Sequence, residues 1–187
     1  MNANNLALPS GSFDLVLSGF MGWYDCFDFS RGEFTRPEKK AKEIRRVLRD
    51  GGYLVCCSWQ RQEDLAWMEE TFLRYYPAIL DDRDYLDDRP IGMAYEKAEG
   101  YRIILESAGF TDITVSREQV ECVSTDEEEW WRQMRRLGWE LHFRNIEKDR
   151  PAELQRVKEA IFRDLQHYKR ADGIHFTKAA FFVRAVR

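Results

Sequence analysis

Two stretches decide the fold: Phe13-Asp14-Leu15-Val16-Leu17-Ser18, opened by Pro9-Ser10-Gly11-Ser12, and Tyr53-Leu54-Val55-Cys56-Cys57-Ser58-Trp59, opened by Gly51-Gly52. Each is a short apolar run bounded by turn residues, and Asp14 is the one charge in the first. Such runs fit strands buried on both faces, as in a parallel sheet. Between them Pro37 opens a helix that places Ala41, Ile44, Val47 and Leu48 on one face. Lys39, Lys40, Lys42, Arg45, Arg46 and Arg49 stand on the other, and Gly51-Gly52 stops it. Strand, helix and strand in this order predict a three-layer α/β domain.

Working outward, residues 19–34 form an aromatic loop with Phe20, Trp23, Tyr24, Phe27, Phe29 and Phe34. A helix is expected over 62–76, on Leu65, Met68, Phe72 and Tyr76 in line, then an acidic linker at 81–89. A helix over 96–108 carries Tyr101, Ile104, Leu105 and Ala108 and ends at Gly109, and a strand region covers 112–123. Thr125-Asp126-Glu127-Glu128 is a capping box that opens an aromatic helix through Trp130, Trp131, Met134, Leu137 and Leu141. Pro151 opens another helix with Leu154, Val157, Ile161 and Leu165, and residues 176–186 form a last strand. The helices at about 125–170 are expected to be a cap inserted before that strand.

Composition narrows the class. The chain has 187 residues, 44% hydrophobic and 33% charged, which suits one folded domain with a sizeable core. A formal net charge of −4 gives no reason to expect a nucleic-acid surface. No apolar run approaches membrane-spanning length, and the polar first residues read as no signal peptide, so a cytoplasmic location is the default expectation. The cysteines Cys26, Cys56, Cys57 and Cys122 lack paired metal-ligand spacing and fit reduced thiols. The histidines His142, His167 and His175 are scattered, so no metal is expected.

The pair of motifs, Asn2-Ala3-Asn4-Asn5-Leu6 running to Gly11-Ser12-Phe13-Asp14 and Glu43 to Val55, resembles the class I S-adenosylmethionine-dependent methyltransferases of the type 11 kind. The resemblance covers the C-terminal part of their domain, and Glu106-Ser107-Ala108-Gly109-Phe110 extends it. It implies an incomplete doubly wound, Rossmann-like sheet with strands in the family order fourth, fifth, seventh, sixth, the last strand antiparallel. It implies methyl transfer from S-adenosylmethionine to a small-molecule acceptor. The family's glycine-rich cofactor loop has no match here, and neither has its ribose-binding acid, so a truncated chain that binds cofactor weakly is expected.

Residue by residue, the resemblance puts Asn2, Ala3 and Asn4 against the adenine, with Asn2 where an acid usually stands. It puts Ser18, Gly19 and Phe20 beside the methionine part, in keeping with ligands lying at the carboxyl ends of strands. Gly19 either lets backbone approach the ligand or merely turns the chain. Trp23, Tyr24, Trp59, Trp130 and Trp131 are candidates for the acceptor pocket, and aromatic rings also suit a sulfonium. Core filling accounts for them equally well. Tyr24, Asp25, Asp28, Glu127 and His142 are weak candidates for a general base, and no catalytic residue is assigned. A strand at 13–18 without its family neighbour would be an edge, which predicts a homo-oligomer through it. The alternative function is a non-catalytic half-domain acting through self-association or a partner chain.

Overall fold

The computed structural model describes residues 2–76, 96–136 and 140–187. The acidic linker at 81–89 and Leu137 of the expected aromatic helix lie outside the described residues, as does the side chain of Leu141. The elements run β1 (Phe13–Gly19), β2 (Phe27–Asp28), β3 (Glu33–Phe34), α1 (Lys40–Val47), β4 (Leu48–Gln62), α2 (Glu63–Tyr75) and α3 (Ala98–Ser107). They continue with β5 (Thr111–Ser124), α4 (Glu127–Met134), α5 (Glu140–Asp149), α6 (Pro151–Leu165), β6 (Lys169–Arg170) and β7 (Gly173–Val186).

The main sheet is ordered β1-β4-β7-β5, with β6 paired to β7. The expected strand order is therefore present. β1 and β4 are parallel, with Leu15 opposite Tyr53 and Gly19 opposite Cys57. The end of β7 meets the start of β4, where the Arg187 N–H donates to the Gly52 carbonyl at 2.9 Å. Thr111, Thr114 and Ser116 of β5 reach the carbonyls of Val186, Arg184 and Phe182 in turn. That descending match sets β7 antiparallel to β5. This is the Rossmann-like α/β sheet with a reversed last strand.

Two strands differ from their sequence pattern. β1 is not buried on both faces: Leu15 and Leu17 are 47% and 71% exposed, and only Val16 packs on the core. β4 alternates, with Leu54, Cys56 and Ser58 buried and Tyr53 exposed. The apolar runs are continuous, but in β1 the layer that would cover the second face is not among the described residues. The register also jumps, since Phe13 pairs Leu48 while Leu15 pairs Tyr53. The extra residues of β4 bulge out through Gly51 at φ +74°, a conformation that suits glycine.

The chain divides into two compact units, residues 1–61, 94–119 and 179–187, and residues 62–93 and 120–178. In the first, α1 and α3 turn Ala41, Ile44, Tyr101, Ile104 and Leu105 into a core with Leu54, Cys56, Phe181 and Val183. Helix α1 starts three residues after Pro37, because the Glu38 carboxylate accepts the Ala41 N–H at 2.6 Å and supplies the missing cap. The aromatic loop contains a small hairpin, β2–β3, that no turn signal announced.

In the second unit, α2, α4, α5 and α6 enclose Met68, Phe72, Trp130, Trp131, Phe143, Ile161 and Phe176. The expected pair of helices is a set of three, α4, α5 and α6. The cap of α4 is shifted by one residue from the expected box. Asp126 accepts the Glu129 N–H at 2.7 Å, and Glu129 reaches back to the Thr125 N–H at 2.6 Å.

Candidate functional site at the carboxyl ends of β1 and β4

Parallel strands end their carbonyls at one rim, and ligands of open α/β sheets collect there. Here the rim is made by Ser18 and Gly19 of β1, opposite Cys56 and Cys57 of β4. The Phe20 N–H closes it with a 2.8 Å bond to the Cys57 carbonyl. Phe20 is held at φ +52°, a left-handed conformation unfavourable for a bulky residue. Its ring stacks on Trp59 with centroids 4.4 Å apart, and half its surface stays exposed. Beside it, nothing lies within 4 Å of where a Gly19 side chain would stand.

Beyond the rim, the loop 20–34 is fastened by Lys40 of α1. The ammonium donates to the Gly22 carbonyl at 2.6 Å and to Asp25 at 2.5 Å, and lies over the Trp23 ring. Trp23 is 1% exposed and belongs to the core of its unit. Tyr24 is half exposed, and its hydroxyl faces inward toward Glu96.

Glu96 is the feature that no sequence signal marked. It stands just before α3 and is 1% exposed. The Tyr101 hydroxyl donates a short hydrogen bond to its Oε2. Ser58 and Tyr24 also approach the carboxyl, while Oε1 has no hydrogen-bond partner among the described residues. Burial raises the Glu96 carboxyl above its ordinary range, against the lowering pull of Tyr101, Ser58, Tyr24 and Lys40. The same burial, then the Glu96 charge, pushes the Tyr24 and Tyr101 hydroxyls up, so both stay neutral donors. Cys56 is pushed up to about 12 and Cys26 to about 11 by burial, which leaves both thiols protonated and inert.

The remaining sequence candidates have other partners. Asn2, Ala3 and Asn4 make a tight turn in which the Asn2 Oδ1 accepts the Asn4 N–H at 2.9 Å. The segment that follows is anchored by Glu43 and Arg46 of α1, through Leu6 and Leu8. Asp25 is paired with Lys40. Asp28 closes a turn with Ser30 and Arg31, whose hydrogen bonds lower its carboxyl. Glu127 binds Lys169 and Gln166, which hold it at about 2. Trp130 and Trp131 are 1% and 4% exposed, the latter stacked on Phe143 at 4.5 Å. The side chain of His142 lies outside the described residues. Among the described residues no group of three or more His, Cys, Asp or Glu is placed to hold a metal, and no helix is long and apolar enough to cross a membrane. A shallow surface cleft elsewhere in the first unit, lined by Phe34, Arg36, Glu38, Lys42 and Ser107, holds none of these side chains.

Residues 1–56, which contain β1, α1 and the first part of β4, match the methyltransferase domain family. Residues 1–56 are methyltransferase-like. The class I S-adenosylmethionine-dependent methyltransferases are thus the family this chain resembles. A curated relative, the malonyl-[acyl-carrier protein] O-methyltransferase of Brevibacillus brevis, is 26% identical over 180 residues, 94% of this chain. The chain spans 57% of that protein's length. Among solved structures, phosphoethanolamine N-methyltransferase 2 of Haemonchus contortus, in complex with phosphomonomethylethanolamine and S-adenosylhomocysteine, is 18% identical with a TM-score of 0.41. The alignment covers 100% of this chain and 36% of that one. An S-adenosylmethionine-dependent methyltransferase of Methanosarcina mazei is 15% identical with a TM-score of 0.43, covering 100% of this chain and 65% of that one. Likenesses this distant carry no argument about function.

The rim could hold S-adenosylmethionine along one flank. Gly19 leaves open space, and Phe20 with Trp59 offers ring surface to a sulfonium. The fit is partial. The Asn2 amide oxygen is already engaged, and no two glycines of the sequence stand two apart to form a cradle of backbone N–H groups.

Proposed function

We propose that this chain takes part in methyl transfer from S-adenosylmethionine to a small-molecule acceptor, with Ser18, Gly19 and Phe20 along the methionine side and Asn2, Ala3 and Asn4 toward the adenine. The observation that carries the reading is the coincidence of the methyltransferase-domain match with the β1-α1-β4 rim. When bound, the cofactor supplies an electrophilic methyl group. The chain's own residues orient the two partners and exclude water, which is the larger part of the protein's work in such a displacement. On this reading Trp23, Tyr24 and Trp59 belong to the acceptor side, whereas Trp130 and Trp131 fill the core of the second unit.

The chain alone is expected to hold the cofactor weakly, since each missing hydrogen bond costs on the order of 1 kcal/mol. Titration calorimetry with S-adenosylmethionine tests this, with a weak, millimolar-range heat expected. No heat at all would contradict the methyltransferase reading, and low-micromolar binding would contradict the expected weakness.

A second reading rests on β1. Leu15 and Leu17 project from a strand that ends the sheet among the described residues, and an apolar edge of this kind pairs readily with another strand. A second copy, joined edge to edge across a two-fold axis, is the occupant this reading names. Sedimentation that shows a monomer at high concentration would remove it.

A further inference from the structure

We infer that Glu96 is the binding carboxylate and proton acceptor for an amine, brought by the molecule that occupies the rim of β1 and β4. A buried carboxyl normally has all its hydrogen-bonding capacity met, and the exception asks what the free lone pairs are for. Glu96 is 1% exposed, and its Oε2 is taken by Tyr101. Its Oε1 is free among the described residues. The Ser58 hydroxyl that approaches it belongs to β4 directly after Cys57, whose carbonyl forms the rim. Tyr24 connects this buried acid to the surface, with an inward hydroxyl and a half-exposed ring.

The charge around the site favours a cation. Glu96, Glu38 and Asp25 are acids on three different segments, and Lys40 is the base set among them. Lys40 is already bound to Asp25 and to the Gly22 carbonyl. Glu38 is engaged with the N–H groups of Ala41 and Lys42 at the start of α1. Among the described residues Glu96 forms no ion pair, and the Lys40 charge that reaches it is shared with Asp25. Among the described residues, the other groups facing it, Tyr24 from the loop, Ser58 and Cys56 from β4 and Tyr101 from α3, are neutral hydroxyls or a thiol. Aromatic rings line the same place, with Tyr24 edge-on to Phe29 and Phe29 against Tyr101. A carboxylate among ring faces is the chemistry that recognises an ammonium.

The proton balance closes without any other reagent. An ammonium N–H bond breaks, its electron pair stays on nitrogen, and the proton ends on Glu96, either directly on Oε1 or across the Tyr24 hydroxyl, whose own proton moves on. The products are a neutral amine with a free lone pair and a neutral carboxylic acid. Burial has already raised the affinity of Glu96 for that proton. A carboxylate acceptor needs no such base and would meet the like charge of Glu96. That the amine is a methyl acceptor rests on the methyltransferase reading, whereas amine binding at Glu96 does not.

The test uses the full chain with carbon-13 in its glutamate carboxyls, the Glu96 signal being assigned by its loss in Glu96→Gln. Ethylamine is the cationic probe and propionate the anionic one. Ethylamine is expected to shift the Glu96 signal and to lower the pH at which it titrates, and propionate to leave it in place. Glu96→Gln should weaken ethylamine binding by about ten-fold or more, as loss of a charged hydrogen bond requires. If that variant does not fold, Tyr24→Phe keeps the acid and should still weaken binding by about five-fold. The proposal is overturned if propionate moves the Glu96 signal as much as ethylamine, if neither does, or if Glu96 titrates in the ordinary carboxylate range. S-adenosylmethionine carries an α-ammonium of its own, so its calorimetry is repeated on Glu96→Gln: heat that survives in that variant judges the methyltransferase reading separately from amine binding at Glu96.

Discussion

The two units bury polar groups in opposite ways. In residues 62–93 and 120–178 the interior charge is closed on itself: Asp64 and Lys178 pair at 2.8 Å, and Glu63 accepts the Thr177 N–H at 2.8 Å. Around them Trp67, Trp130, Tyr168 and Phe176 stack or meet edge to face. Among the described residues there, the Thr71 hydroxyl and the Trp130 indole N–H are left unpartnered, and both are neutral. In residues 1–61, 94–119 and 179–187 the unpartnered buried atoms include a carboxyl oxygen, that of Glu96. A closed pair is consistent with packing and folding specificity, whereas a buried acid with a free oxygen is destabilising unless something binds it. The difference separates a unit organised around its core from one organised around a site.

The largest expected effect breaks the comparison on the packing side. Trp130→Ala removes a 1%-exposed ring from between Trp67 and Phe176 and should cost about 3–5 kcal/mol, read from urea midpoints. Trp130→Phe should cost much less, because it removes the unpartnered indole N–H together with part of the ring. A loss under about 1 kcal/mol for the alanine variant would mean that this core is not what holds its unit.

A smaller effect sharpens the contrast in pH. Glu96 has a raised folded value, so the folded state holds that proton more tightly than the unfolded one. Its contribution is present below the ordinary glutamate range and is lost as pH rises through the folded value. Glu127 is the reverse: held at about 2, it stabilises above its ordinary value of 4.5 and is lost as pH falls toward 2. Glu96→Gln should therefore flatten the fall in stability on the alkaline side of the carboxylate range, and Glu127→Gln the fall on the acid side. Parallel pH–stability curves for wild type and Glu96→Gln would show that Glu96 is not held as a buried acid.

The strands at 13–18 and 53–59 were legible as apolar runs between turn residues, whereas the order of the strands came from the family resemblance and not from the pattern. What covers each strand was not legible. Leu15 and Leu17 look like core residues in a continuous run, and only the absence of a described neighbour beside β1 makes them surface. The start of α1 was misplaced because the cap comes from the side chain of Glu38 rather than from the residue type expected there. Ser18, Gly19 and Phe20 could be named in advance since a strand end is visible in sequence. Glu96 could not, because residues 24, 58, 96 and 101 meet only through the tertiary fold and no spacing encodes their meeting.

The smallest expected effect concerns the exposed edge. Leu17→Lys replaces a 71%-exposed side chain and should change monomer stability by less than about 0.5 kcal/mol. If β1 joins two copies, the same substitution shifts the sedimenting species to monomer. An unchanged oligomer would place the interface elsewhere.

The site itself is tested most directly by nitrogen-15 NMR of the full chain titrated with S-adenosylmethionine to millimolar concentration. The amides of Ser18, Gly19 and Phe20 and the indole N–H of Trp59 should move together, while the indole signals of the buried Trp130 and Trp131 stay fixed. Movement of Trp130 and Trp131 with an unperturbed Ser18–Phe20 segment would contradict the account.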